Sequence, residues 1–318
     1  MEKGAKIFIA GATGLLGSAI VRQLGQHGYC LVAPPKLDLN LLDSYAVKRF
    51  FDSTRPDYVF LAAAKVGSIF ANISQPVEFL SDNLGIQKNV IENAHRFGVK
   101  KLLFYGSNCM YSRECPQPMK EEYFMTGPLE PTNRAYAIAK IAGLEMCRSF
   151  NIQHDANFIV AIPASMYGEN DNFDFGRAHV LPDLIKKFHD AMISELPWVM
   201  LSGDGSPRRE FIYVEDVADA SIFLMENFNP KRQEVRRGDI FVNVGSGIDF
   251  TVAELAEIVR AVVGYKGKIG WDVSRPNGMP RKLLDSSRCH AFGWHHKTEL
   301  EDGIRKTYEW YLKNKKIN

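Results

Sequence analysis

Short apolar runs alternate with amphipathic helical segments through the first half of this 318-residue chain. That alternation constrains the fold more than any other feature. "KIFIA" (6–10), "CLVA" (30–33), "YVFLAAA" (58–64), "KLLFYGS" (101–107) and "NFIVAIPASMYG" (157–168) have the length and apolar content of strands. Between them, "LLGSAIVRQLGQHG" (15–28), "DSYAVKRFFDSTR" (43–55), "LGIQKNVIENAHRFG" (84–98) and "AYAIAKIAGLEMCRSF" (135–150) repeat apolar residues at helical spacing. Gly28 is a plausible stop for the first of these helices and Asp43 an N-cap for the second. Strands alternating with helices imply right-handed crossovers and a parallel sheet wound on both faces. The expected fold is therefore α/β, a Rossmann-type doubly wound parallel sheet with a second, smaller α/β substrate lobe.

The alternation breaks down after residue 168. There "ENDNFDFGRAHVLP" reads as loop, 183–193 as helix, 198–202 as strand and "GDGSPRRE" as loop again. "GDIFVNVGS" (238–246) has the character of a strand returning to the main sheet, and Thr251 can cap a helix over 251–264. The expected division is a dinucleotide-binding domain over 1–168, with a return segment near 204–250. A mainly substrate-binding lobe over 169–318 completes the chain, with a discontinuous boundary.

"GATGLLG" (11–17) joins the first strand to the first helix. Glycines at 11, 14 and 17 allow a tight turn, close approach of backbone N–H groups to a pyrophosphate, and close packing of helix on strand. Placed after a strand at the head of an alternating pattern, the triplet points to a dinucleotide. An acid usually ends the second strand of an NAD site, to bind the ribose 2′-OH. Here that strand runs into "VAPPKLDL", with Lys36 where a 2′-phosphate could be met, although a solvated loop lysine is the competing reading. The expected cofactor is NADP(H).

"YAIAK" places Tyr136 and Lys140 four residues apart, on one face of a helix. A cation beside a phenol favours the phenolate, so the pair can pass a proton to or from a carbonyl oxygen. Ser107 ends the preceding strand, where active sites of open parallel sheets lie, and its hydroxyl can bond the same oxygen. Cys109 lies two residues beyond. The glycine spacing resembles that of short-chain dehydrogenase/reductases acting on nucleotide sugars, which implies a sugar substrate. In a 4-keto sugar the protons at C3 and C5 are acidified by the ketone, and inversion there needs an acid and a base on opposite ring faces. Cys109 can be one and His179 the other, since imidazole titrates near neutrality. The bland alternatives are a buried small apolar thiol and a hydrogen-bonding loop histidine.

The triplet's spacing resembles the extended short-chain dehydrogenase/reductases that act on nucleotide sugars. "LAAAKVG", "GSNCMY", "KEEYFMTGPLEPTN", "YAIAKIAG", "NDNF", "HVLPDLIKKFH", "PRREFIYVEDVADA", "NVGSG" and "PRKLLD" span the chain and resemble the GDP-L-fucose synthase family within that group. The resemblance implies an NADPH-dependent, often dimeric epimerase-reductase of a GDP-4-keto-6-deoxy sugar. Ser107, Tyr136 and Lys140 would reduce C4, and Cys109 and His179 would epimerise C3 and C5. It further implies cofactor contacts from Gly11, Thr13, Gly14, Leu15, Leu16, Gly17, Lys36, Asp38, Leu39, Ala63, Lys140, Pro163 and His179. Substrate contacts would come from Lys187, Ser202, Arg209 and Asn277.

Four features depart from the family pattern. The first loop lacks a basic residue, Ser165 replaces an asparagine, Lys187 an arginine and Ser202 a tryptophan. Three of them lie along the sugar and diphosphate path. They keep open an alternative, a C4-reductase without epimerisation, acting on a related GDP-4-keto sugar such as a 6-deoxy-heptose.

A formal net charge of +2 argues against nucleic-acid or membrane-surface binding driven by bulk charge. Five cysteines without a C-x-x-C pair suggest neither a disulfide framework nor a cysteine-based metal site. No segment has the length or character of a signal peptide or a membrane span. The expectation is a cytoplasmic protein without a metal, and the resemblance implies a homodimer.

Overall fold

Four apolar runs form the buried centre of a parallel sheet, as chains covered on both faces must. The computed structural model describes residues 1–314 apart from Phe175, Arg177 and Pro276. Its first half runs β1 (Lys6–Ala10), α1 (Leu15–Leu24), β2 (Cys30–Val32), α2 (Ser44–Thr54), β3 (Tyr58–Leu61), α3 (Ile69–Ser74), α4 (Pro76–Arg96), β4 (Lys101–Tyr105), α5 (Arg134–His154) and β5 (Phe158–Pro163). Then follow β6 (Ser165–Tyr167), α6 (Val180–Ile193), β7 (Trp198–Ser202), β8 (Arg208–Tyr213), α7 (Val214–Asn227), α8 (Arg232–Arg237) and β9 (Phe241–Val244). The chain ends with β10 (Asp249–Thr251), α9 (Val252–Val263), β11 (Lys268–Asp272), β12 (Arg281–Lys282), α10 (Ser287–Ala291) and α11 (Leu300–Asn314).

The six-stranded sheet has the order β2-β1-β3-β4-β5-β9, with every neighbouring pair parallel. The order reverses between β1 and β3, and ligands of such sheets bind outside the strand ends at that reversal. β8 is the spine of a second sheet. It pairs antiparallel with β10 and parallel with β6 and β12. β7 and β11 form a separate parallel pair. One apolar cluster fills the large sheet, and a second joins Leu184 and Phe188 of α6, Leu255 and Val259 of α9, and Ile304 and Tyr308 of α11.

The expected caps are present. Asp43 accepts from the N–H groups of Tyr45 and Ala46, and Thr251 forms a reciprocal capping box with Glu254. Several boundaries differ from the sequence reading, among them three with a clear physical reason. α1 ends at Leu24, because the chain turns through Gly25 before Gly28 takes a positive φ of 71°. α4 begins at Pro76, eight residues before the expected start, with the proline in the first turn where its missing N–H costs nothing. "SPRRE", read as loop, leads into β8. Its charges hid the strand because their partners are distant in the chain: Arg208 meets Asp249, and Glu210 accepts the N–H groups of Gly247 and Leu284. Among the described residues no helix is long and apolar enough to cross a membrane.

Lys101 pins the sheet to α7. It is buried in β4, and its ammonium donates to the carbonyls of Leu224, Met225 and Phe228 at 2.7–3.0 Å and to Asn229 Oδ1 at 3.1 Å. Lys101→Met removes the ammonium from the Met225 and Phe228 carbonyls, while Leu224 keeps the Phe228 N–H, and should cost about 2 kcal/mol. A fall in the thermal midpoint of the purified protein checks this.

Candidate active site

The turn from β1 into α1 has two crowded glycines and one open one. A Cβ on Gly11 would stand 2.7 Å from Ala63 N, and one on Gly17 would stand 2.0 Å from Gly11 O. Both positions therefore require glycine. At Gly14 the nearest atom to a Cβ, Gly11 O, is 3.5 Å away. Gly14 is the N-cap of α1, with no side-chain cap and no acid in the first turn. Thr13, Leu15 and Leu16 flank it. Uncapped amides at the positive end of a helix dipole, beside an open Cα, fit a pyrophosphate. The cradle lies at the reversal of strand order, with Ala63 across from Gly11. Pro163, paired in register with Val244, ends β5. Lys36 and Asp38 sit in an exposed turn after β2, while Leu39 is buried against the core.

The second group gathers at the end of β4. Ser107 caps a single 3₁₀ turn, Asn108–Met110, and this turn presents Cys109. Tyr136 lies in the first turn of α5, with the edge of Phe79 against its ring. Burial, and then the charge of a Cys109 thiolate, hold its phenol above the ordinary range, while a hydrogen bond with Ser107 opposes them. Lys140, one turn along, is 3% exposed. Its Nζ donates to the Tyr105 carbonyl at 2.8 Å and lies 5.8 Å from the centre of the Tyr136 ring. Burial lowers its pKa to about 7.

The Cys109 thiol is half-buried and receives two donors, Asn133 Nδ2 at 2.9 Å and Lys282 Nζ at 3.3 Å. His179 is the N-cap residue of α6, without a capping hydrogen bond from its side chain. The protein around its ring and then the Lys282 ammonium lower its pKa, keeping the imidazole neutral. Arg209, on β8, is desolvated and also feels the Cys109 charge. Its guanidinium donates to the carbonyl of Arg208 at 2.8 Å and lies 3.5 Å from that of Asn277. Asn277 Oδ1 accepts from the Asp204 N–H at 3.1 Å. Arg209 and Lys282 thus both act on Cys109, with Lys140 beside Tyr136, and among the described residues none of the three forms an ion pair with a carboxylate, Glu130 acting on Arg209 only from farther off. A cleft with this balance is built for an anion.

The sequence profile of the NAD dependent epimerase/dehydratase family matches residues 7–245. The chain belongs to that family. A putative GDP-L-fucose synthase 2 of Arabidopsis thaliana is 50% identical over 99% of this chain and 94% of its own length. The GDP-L-fucose synthase of Escherichia coli is 47% identical, over 97% of each chain. Among solved structures, a GDP-6-OMe-4-keto-L-xylo-heptose reductase from C. jejuni superposes with a TM-score of 0.93 at 37% identity, covering 98% of this chain and 99% of its own.

Ser107, Cys109, Tyr136, Lys140, Arg209 and Asn277 are drawn together around this family's sheet edge, and His179 joins them through Lys282. Two expected substrate residues stand apart by their own contacts. Lys187 is paired with Asp183 on its own helix at 2.7 Å, and Ser202 is exposed at the end of β7, opposite Asp272. Sequence reading missed Asn133 and Lys282. Both lie in motifs it had singled out, "PLEPTN" and "PRKLLD", but only their shared approach to Cys109 marks them.

Two predictions follow from this geometry. Gly17→Ala should cost about 2 kcal/mol, because the clash is with backbone. Gly14→Ala should leave the thermal midpoint unchanged and weaken NADPH binding about tenfold, since its methyl enters only the open space. Calorimetry and cofactor fluorescence separate the two. Lys140 titrates at about 7, so at pH 8 the ligand-free protein holds it mostly neutral. An anionic dinucleotide favours the ammonium, so binding at pH 8 should take up protons, binding at pH 6 should take up few, and Lys140→Met should abolish the difference. Titration calorimetry in buffers of differing ionisation enthalpy reads this.

Proposed function

We propose that this chain is an NADPH-dependent epimerase-reductase of a GDP-4-keto-6-deoxy sugar. It epimerises C3 and C5, then reduces the C4 ketone to a product of the GDP-L-fucose type. The observation that carries the proposal is the convergence of two sets of groups on one anion-seeking cleft. Ser107, Tyr136 and Lys140 form a carbonyl-reducing set, and the Cys109 thiol stands beside Tyr136 with two donors of its own. The relatives agree: GDP-L-fucose synthases at 47–50% identity share nearly the whole chain. Their likeness extends to the cofactor, since a GDP-L-fucose synthetase from Naegleria fowleri is bound to NADP, as is a GDP-mannoheptose C4 reductase from Campylobacter jejuni.

The amides at the head of α1 receive the dinucleotide phosphates between Gly11 and Gly17, with Thr13, Gly14, Leu15 and Leu16 lining the turn. Ala63 and Pro163 border the path toward the nicotinamide, Asp38 and Leu39 border the adenine, and Lys36 reaches toward the 2′-phosphate. The bound cofactor supplies the hydride. Arg209 takes the GDP diphosphate, with Asn277 beside the substrate, while Lys187, paired with Asp183, and Ser202, exposed on β7, lie outside this set.

Cys109 and His179 then remove and return the protons on C3 and C5 from opposite ring faces. His179 suits one half of this work because its lowered pKa leaves a neutral imidazole near pH 7. In the reduction, Tyr136 gives its proton to the C4 oxygen as that carbon accepts hydride. A raised phenol pKa suits this direction, since the group stays protonated until charge develops on the oxygen. Ser107 donates to the same oxygen, and Lys140 stabilises the phenolate that remains.

A second reading has one observation in its favour. Heptose reductases from Campylobacter jejuni superpose with TM-scores of 0.89–0.93 at 37–38% identity. With Ser202 exposed where the family carries tryptophan, the alternative is C4 reduction of a bulkier GDP-4-keto sugar without epimerisation. Five free cysteines fit the reducing cytoplasm, and a homodimer is the expected assembly, which light scattering would read.

The test is to supply GDP-4-keto-6-deoxy-mannose and NADPH and identify the product by NMR. GDP-L-fucose is the expected outcome. Tyr136→Phe should lower cofactor oxidation at least about 100-fold. Cys109→Ser should abolish the L-sugar product. A reduced sugar that keeps its C3 and C5 configuration, unaffected by Cys109→Ser, would transfer the assignment to the reductase-only reading.

A further inference from the structure

Glu210 is a buried carboxylate that the catalytic account leaves unused. It lies on β8, next to Arg209, and is 1% exposed. Among the described residues no cation pairs with it, and burial pushes its pKa up to about 7. A core position would be served as well by an apolar side chain of similar size. The carboxylate does something such a side chain cannot. Oε1 accepts the Gly247 N–H at 2.7 Å and Oε2 accepts the Leu284 N–H at 2.8 Å. The two oxygens therefore tie β8 to the β9–β10 turn and to the segment directly after β12. The turn is shaped to admit it, since a Cβ on Gly245 would stand 2.2 Å from Oε1.

The Leu284 bond matters because β12 is short. Only Arg281 and Lys282 pair with β8, opposite Arg208 and Arg209. Beyond them the chain is clasped from both sides. Met119 donates to the Leu283 carbonyl at 2.7 Å and accepts from the Asp285 N–H at 2.9 Å, while Glu210 takes the N–H between them. Lys282 is two residues before that anchor, and its Nζ is 3.3 Å from Cys109 Sγ.

We propose that Glu210 is a positioning residue, clamping β12 so that the Lys282 ammonium is held against the Cys109 thiol. The proposal deepens, and rests on, the reading of Cys109 as a reacting group. A cation at the sulfur favours the thiolate, the form that reacts. The same ammonium opposes a proton on His179. One lysine, its segment anchored in part by one buried carboxylate, thereby bears on both groups. Glu210→Gln breaks the clamp with little change of shape, because one amide oxygen can serve one N–H while the NH₂ meets the other donor head-on.

The test follows alkylation of Cys109 by iodoacetamide in the full-length protein, by peptide mass spectrometry, so that exposed Cys30 does not confuse the reading. Lys282→Met should slow it about tenfold. Glu210→Gln should slow it by a similar factor, and the double variant no further, as two residues acting through one contact require. Should Glu210→Gln not fold, Glu210→Asp keeps the charge but shortens the reach and should slow the reaction likewise. An unchanged rate in the Glu210 variant overturns the proposal. So does a faster rate, which is what simple loosening around the thiol would give, or losses that multiply in the double variant. Formation of GDP-L-fucose by the wild type is measured separately. If it fails while the alkylation pattern holds, the epimerase reading falls and the clamp stands.

Discussion

The approach of Gly17 to the Gly11 carbonyl leaves no space for even a methyl group, and the placement of α1 depends on it. Two backbones in such contact bring the uncapped end of the helix to the point where the strand order of the sheet reverses. Everything with a chemical role is arranged outward from that edge. Ser107 ends the next strand but one from β1, and the 3₁₀ turn it caps delivers Cys109. α5, packed along α4, sets Tyr136 and Lys140 beside it. The second sheet closes the cleft from the opposite side with Arg209 on β8 and Lys282 on β12.

Burial then gives these groups their tasks. Lys140 has a carbonyl rather than a carboxylate for its partner, so its positive charge is unsatisfied until an anionic ligand arrives. Tyr136 feels the same loss of solvent in the opposite sense and keeps its proton. A carboxylate in the cleft would settle Lys140 and Arg209 more cheaply and spoil both effects. On the proposed reading, the stability forgone at these positions supplies the affinity for a diphosphate and a phenol that acts as an acid.

Much of this was legible in the sequence, for physical reasons. The continuous apolar runs of β3, β4 and β5 can only be strands buried on both faces, and the glycine triplet at the head of α1 has few other uses. Tyr136 and Lys140 share a helix face by spacing alone. β8 was not legible, because Arg208 and Glu210 look like a solvated loop until Asp249 and two distant amides are brought to them. Asn133 and Lys282 were hidden for a related reason. They lie 24 and 173 residues from Cys109, and only the fold brings them to its sulfur. His179 was named for an imidazole that titrates near neutrality, and the structure adds that it stands at the N-cap position of α6 without a capping hydrogen bond.

The central claim is that one cleft both inverts and reduces. The most direct measurement is proton exchange: incubate the protein with GDP-4-keto-6-deoxy-mannose in heavy water without reduced cofactor, and follow C3 and C5 by NMR. The account predicts enzyme-dependent deuterium at both carbons before any reduction takes place. Absence of exchange at either carbon, in a preparation that still oxidises NADPH with this sugar, would contradict it.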